Sequence, residues 1–156
     1  MKILLCDDQA VIRDGLEMLL QLEKDFQVVG SAQDGFEAVD LASKKSPDLV
    51  LMDLKMPGMN GIELLKQIKT IAPKTVRMML TGNSDQQTAI DAVNEGSIFR
   101  FLTKPCPQER ITETLFAGLE QYRLVVAEQQ LLEQTLSRGL QVLLDVLSIV
   151  NPTAFN

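Results

Sequence analysis

The sequence contains no histidine, and its two cysteines, Cys6 and Cys106, lie far apart. That leaves no donor set of the kind zinc sites use and no disulfide framework, so a reducing cytoplasm is the expected setting. Basic clusters are also missing: 15 lysines and arginines stand against 21 aspartates and glutamates, for a net charge of −6. A surface that grips a phosphate backbone gains affinity by releasing counterions from clustered cations, so no direct nucleic-acid contact is expected. Long apolar runs are absent as well. Met1-Lys2-Ile3-Leu4-Leu5-Cys6 is interrupted by Asp7-Asp8, too early for a signal-peptide core, and no stretch approaches a membrane span. What the 156 residues do have is 46% hydrophobic side chains, enough for one sizeable core with an appendage but a tight fit for two full domains.

Short apolar runs alternate with amphipathic stretches along the chain. Ile3-Leu4-Leu5 reads as a strand, and Val11, Ile12, Leu16, Leu19 and Leu20 follow at helical spacing. Phe26 to Gly30 reads as a second strand, and Phe36 to Lys45 as a helix opened by Asp34, a capping candidate. Ser46-Pro47 punctuates the join to a third strand, Asp48 to Met52. Gly61 to Ile71 is helical, Thr75 to Leu80 extended, Asp85 to Asn94 helical, and Ile98 to Leu102 a fifth strand before Lys104-Pro105. Crossovers of this length favour parallel pairing with helices on both faces. The expected fold class is therefore α/β, a doubly wound five-stranded parallel sheet. In such sheets ligands bind beyond the carboxyl ends of the strands, where the strand order reverses. After about Gln108 the turn residues largely vanish.

The residues that follow the strands are Asp7-Asp8 after the first, Asp53 after the third, Thr81 after the fourth and Lys104 after the fifth. Three carboxylates in one crevice repel one another unless protons or a cation offset the charge. Magnesium suits the set, because it prefers oxygen ligands and usually takes only one or two carboxylates plus phosphate oxygens. Beside such an ion Asp53 could attack a phosphoryl group in line, with the Lys104 ammonium neutralising the equatorial oxygens. Thr81 could donate its hydroxyl to one phosphoryl oxygen, and Gly82 leaves a backbone N–H for another. Taken singly, each residue has a plainer use: Asp7-Asp8 as a helix cap, Asp53 in a turn, Thr81 as a cap, Lys104 as a solvated charge. Their placement at successive strand ends is what points to a common site.

The pattern resembles the receiver domains of bacterial two-component response regulators over roughly residues 1 to 122. That resemblance implies a CheY-like fold with the flavodoxin strand order 2-1-3-4-5, and a role as phospho-acceptor for a sensor histidine kinase rather than as an enzyme. It makes Asp7 and Asp8 similar to the family's metal-binding acidic pair, Asp53 to the phospho-acceptor, Thr81 to the switch hydroxyl and Lys104 to the phosphate-contacting lysine. Asp53-Leu54-Lys55-Met56-Pro57-Gly58-Met59-Asn60-Gly61 is similar to the loop after the family's third strand, which implies the Lys55 backbone carbonyl as a further metal ligand. Phe99-Arg100-Phe101-Leu102-Thr103-Lys104-Pro105 is similar to its fifth strand and lysine-proline turn, commonly cis, with Phe101 at the rotating switch aromatic. Phosphorylation would then reshape the face made by the fourth helix, fifth strand and fifth helix. Cys6 reads as a small buried residue on the first strand, and Arg100 as an outward, solvated side chain.

From Leu115 a seam runs through Leu119, Tyr122, Val126, Gln129, Glu133, Leu136, Leu140, Leu143, Leu147 and Val150 in steps of four and three, nine of the eleven apolar. This heptad spacing predicts a long helix over a C-terminal extension, 123–156, that buries its stripe in a parallel homodimer or folds back on its own receiver. Gln129, Glu133 and Gly139 predict a stutter or bend. Leu131 to Val150 and the following Asn151 to Asn156 resemble the segment that joins receivers to HD-type phosphohydrolase output domains, which implies a link to an output domain beyond this chain. Three rivals stand beside the receiver reading. A flavodoxin-type FMN binder would want a Ser/Thr/Gly-rich phosphate loop where Cys6-Asp7-Asp8-Gln9 stands. A haloacid-dehalogenase-like phosphatase would want an acid where Lys55 stands. A degenerate receiver would act only as a dimerisation module.

Overall fold

The computed structural model describes residues 1–95 and 97–154. The strands are β1 (Lys2–Cys6), β2 (Gln27–Ala32), β3 (Leu49–Met52), β4 (Val76–Thr81) and β5 (Arg100–Thr103), and they form one parallel sheet in the order β2-β1-β3-β4-β5. The helices are α1 (Ala10–Leu20), α2 (Gly35–Lys45), α3 (Gly61–Ile71), α4 (Gln86–Asn94) and α5 (Gln108–Val150). Both sheet faces are covered, which is why β1 and β3 are apolar at nearly every position instead of alternating. Ile3, Leu5, Leu49, Leu51, Met78 and Leu80 turn one way, into a layer with Leu16 and Leu20 of α1 and Ile111 and Leu115 of α5. Leu4, Cys6, Val50, Met52 and Met79 turn the other way, against Ala38 and Ala42 of α2 and Leu64, Leu65 and Ile68 of α3. Each fully buried leucine of these layers contributes roughly 1.5–3 kcal/mol of transfer free energy.

Several boundaries differ from the sequence reading, each for a local reason. Asp48 stands just before β3, where its carboxylate accepts the Lys2 N–H at 2.8 Å. The apolar pair Ile98-Phe99 precedes β5 instead of opening it, and Ile98 is buried with its N–H on the Ala92 carbonyl at 3.3 Å. A short 3-10 turn, Asn83–Asp85, stands before α4. Val11, placed on the helical apolar stripe by spacing, is 83% exposed, whereas Leu16 and Leu20 carry the buried face of α1. The caps behave as their chemistry dictates: Asp34 accepts the Glu37 N–H at 2.8 Å, and Asn60 accepts the Glu63 N–H at 2.9 Å.

The chain divides into two compact units, Met1–Tyr122 and a second that begins at Arg123. In the first unit α5 buries Ile111, Thr114, Leu115, Gly118 and Leu119. In the second, Leu136, Leu140, Leu143, Leu147 and Val150 of the seam are all exposed. Phe155 and Asn156, the end of the linker-like segment, lie outside the described residues. Among the described residues no helix is long and apolar enough to cross a membrane.

Candidate functional site

β1 lies between β2 and β3, so the chain leaves β1 for one neighbour and returns on its other side. The ends of β1 and β3 therefore flank the crevice where strand order reverses. The Asp53 N–H donates to the Cys6 carbonyl at 2.8 Å and the Asp7 N–H to the Ala32 carbonyl at 3.1 Å, which fixes both acids at the sheet edge. Asp7 and Asp53 are buried, Asp8 is exposed, and each of the three offers a carboxylate oxygen within 4.8 Å of the others. Asp7 Oδ1 accepts the Gln9 N–H at 2.9 Å, and the Arg13 guanidinium donates to the Asp7 carbonyl.

The lysine expected from sequence arrives from the far strand. The Lys104 N–H donates to the Thr81 carbonyl at 2.7 Å, and its ammonium reaches Asp7 Oδ2 at 2.7 Å and Asp53 Oδ2 at 3.3 Å. Its tie to Asp7 is the shorter of the two, a contact that the sequence pattern does not signal, since the resemblance implies phosphate alone as the partner of this lysine. Thr81 ends β4 fully buried, paired in register with Thr103. The Lys104-Pro105 peptide is cis. Phe101 pairs with Met79, is half-buried against the α2–α3 layer, and borders a cavity of about 280 Å³ with Val93, Phe99 and Arg110. Arg100 is exposed, and its guanidinium lies over the Phe99 ring at 5.0 Å.

Burial pushes the Asp53 carboxyl above its usual range. Lys104 opposes that shift and the neighbouring Asp7 adds to it. For Lys104, burial works against the charged form, but its contacts with Asp7 and Asp53 win and hold the ammonium above its ordinary pKa. The result is one cation paired with two buried acids, with the exposed carboxylate of Asp8 beside them. The donors are carboxylate oxygens, a set that fits a hard divalent cation such as Mg²⁺, and among the described residues no other triad of His, Cys, Asp or Glu side chains gathers this way.

The loop after Asp53 is shaped by two glycines. Gly58 sits at φ +82°, a conformation L residues rarely adopt, and a Cβ on Gly61 would fall 2.7 Å from the Leu54 Cα. The Gly61 N–H closes the loop on the Leu54 carbonyl at 2.8 Å, while buried Met56 and Met59 anchor it. The Lys55 N–H lies 3.4 Å from Asp53 Oδ1, and its side chain is exposed.

The chain matches the response regulator receiver domain over residues 3–116. It belongs to the response-regulator receiver family. Chemotaxis protein CheY of Bacillus subtilis is 37% identical over 114 residues, covering 73% of this chain and 93% of that protein. A solved structure described as adenylate cyclase from Rhodopirellula baltica superposes with a TM-score of 0.78 at 38% identity, covering 85% of this chain and 96% of that one. The signal receiver domain of an HD domain-containing protein from Pseudomonas fluorescens Pf-5 gives a TM-score of 0.71 at 34% identity, covering 78% and 96%. The chain spans only 31%, 59% and 44% of the length of three Bacillus subtilis regulatory proteins that it matches. The chain is thus a receiver domain of two-component signal transduction, five-stranded in the order read from the resemblance.

Proposed function

We propose that this receiver takes a phosphoryl group onto Asp53 from the phosphohistidine of a sensor kinase and acts as a switch rather than as an enzyme. The observation that carries the reading is the Lys104 ammonium held 3.3 Å from Asp53 Oδ2 inside a cluster of three carboxylates. The side chains of Asp7, Asp8 and Asp53 and the Lys55 backbone carbonyl would hold Mg²⁺. When bound, the ion supplies positive charge against the carboxylates and the phosphoryl oxygens.

In the transfer, an Asp53 carboxylate oxygen bonds to phosphorus as the P–N bond to the donor imidazole breaks; the electron pair stays on the imidazole nitrogen, which then takes up a proton. Lys104 keeps its proton throughout and neutralises a phosphoryl oxygen. Thr81 gives its hydroxyl to another, and Phe101 packs into the space that Thr81 leaves. The face of α4, β5 and α5 changes as a result. Residues 1–122 are the switch, and residues 123–156 carry its output. The exposed leucines of the seam support burial in a parallel homodimer, and likeness to the receiver of an HD domain-containing protein supports a link to an HD-type output domain in a longer chain. A cytoplasmic setting follows from the kinase partner.

The test is intact-mass spectrometry after incubation with acetyl phosphate and Mg²⁺. The wild-type chain should gain one phosphoryl group and Asp53→Asn none; equal gain by both would remove Asp53 as acceptor. Light scattering with and without beryllofluoride tests the dimer, which fails if the chain stays monomeric in both.

A further inference from the structure

Two residues beyond Asp53, the Lys55 ammonium lies 3.5 Å from Asp85 Oδ2 and 3.4 Å from Ser84 Oγ, and Ser84 Oγ is itself 3.4 Å from Asp85 Oδ2. The two ends of the ion pair differ. The Asp85 side chain is only 16% exposed, while that of Lys55 is 69% exposed. Asp85 closes the 3-10 turn Asn83–Asp85, which begins two residues after Thr81 and leads directly into α4. Lys55 and Asp85 also line one cavity of about 640 Å³ with Asn60, Glu63 and Thr88. The pair therefore ties the loop that carries Asp53 to the loop that follows Thr81, and among the described residues no other ion pair joins those two loops.

We propose that the Lys55–Asp85 pair is a latch: it holds the turn after β4 in its resting place, and it opens when Asp53 is phosphorylated. The inference rests on the phospho-acceptor reading and makes Lys55 a positioning residue. Only Gly82 separates Thr81 from the turn that begins at Asn83, so a backbone shift of Thr81 toward Asp53 pulls on that turn. Phosphorylation replaces the single charge of the Asp53 carboxylate by nearly two on the phosphoryl group, against one on Asp85, so the ammonium is drawn from the weaker partner. A pair at 3.5 Å whose lysine end is solvated is weak, which suits a contact that must open in every cycle.

The test compares the full chain with Asp85→Asn, Lys55→Met and the double variant; methionine keeps the Lys55 backbone carbonyl. In the absence of Mg²⁺ and beryllofluoride, amide exchange over residues 82–86 should rise about two- to fivefold in each single variant and no further in the double. With Mg²⁺, Asp85→Asn should bind beryllofluoride about two- to fivefold more tightly in the wild-type background and show no gain in the Lys55→Met background. Unchanged exchange, or the same Asp85→Asn effect in both backgrounds, overturns the latch. Failure of the wild-type chain to bind beryllofluoride overturns the phospho-acceptor reading, and with it the opening of the latch, while the exchange data still decide whether the pair holds the turn at rest.

Discussion

Leu115 and Leu136 are leucines on the same helix and in the same heptad seam, yet Leu115 is fully buried and Leu136 is 66% exposed. The repeat is continuous in sequence, but what covers it is not. Through Leu119 the seam packs on the sheet as one wall of the α1–α5 layer, and from Leu131 onward the same spacing meets solvent. An apolar stripe specifies that something must cover a helix and leaves open what does so. In the receiver the cover is the chain's own sheet; in the second unit the proposed cover is a second copy.

The largest effect that separates the two regions comes from truncating those leucines. Leu115→Ala should cost about 3 kcal/mol in chemical denaturation of the receiver, through lost transfer energy and a residual cavity. Leu136→Ala should change that unfolding by less than about 0.5 kcal/mol and lower self-association instead, read by light scattering. Equal costs at both sites would mean that the second unit is covered from within the chain.

Next in size is the charge at the strand ends. In metal-free protein at neutral pH, Lys104→Met leaves Asp7 and Asp53 facing each other without a cation and should destabilise the receiver by about 1–2 kcal/mol. Asp53→Asn should act in the opposite direction. The folded-state pKa of Asp53 is raised, so the folded chain holds this proton more tightly than the unfolded chain does. Ionisation of Asp53 therefore works against folding as pH rises from the unfolded value near 4 through the folded one. Without Mg²⁺ the asparagine variant should melt a few degrees above wild type at pH 7, with the gap closing below about pH 4. A gap that widens in acid would reverse the sign of the shift.

The smallest effect concerns the thiols. Burial pushes the Cys6 thiol far up, with Glu37 and Asp7 adding to it, and Cys6 is 2% exposed. Cys106 is half-buried and also raised by burial, though Arg110 opposes the shift. A thiol reagent at neutral pH should label Cys106 slowly in the native chain, and Cys6 only after unfolding.

These contrasts also mark how far the sequence could be read. β1 and β3 stood out because strands covered on both faces must be apolar throughout, and Asp7, Asp53, Thr81 and Lys104 stood out because each follows such a run. Val11 falls outside the buried face because helical spacing shows that a stripe exists without showing how wide the covered part is. The division of Lys104 between Asp7 and Asp53, and the pairing of Lys55 with Asp85, depend on where long side chains settle across loops distant in sequence. Hydropathy carries no signal for that. The start of β5 is hidden for a related reason: Ile98 is buried beneath α4 rather than in the sheet ladder, and an apolar pair looks the same in both settings.

The most direct measurement is chemical mapping of the phosphorylated residue. Acetyl phosphate and Mg²⁺ would load the full chain, borohydride would reduce any acyl phosphate, and peptide sequencing by mass spectrometry would locate the homoserine that forms. Homoserine at position 53 alone is expected; homoserine at position 7 or 8, or at none of the three, would contradict the assignment of Asp53 as the acceptor opposite Lys104.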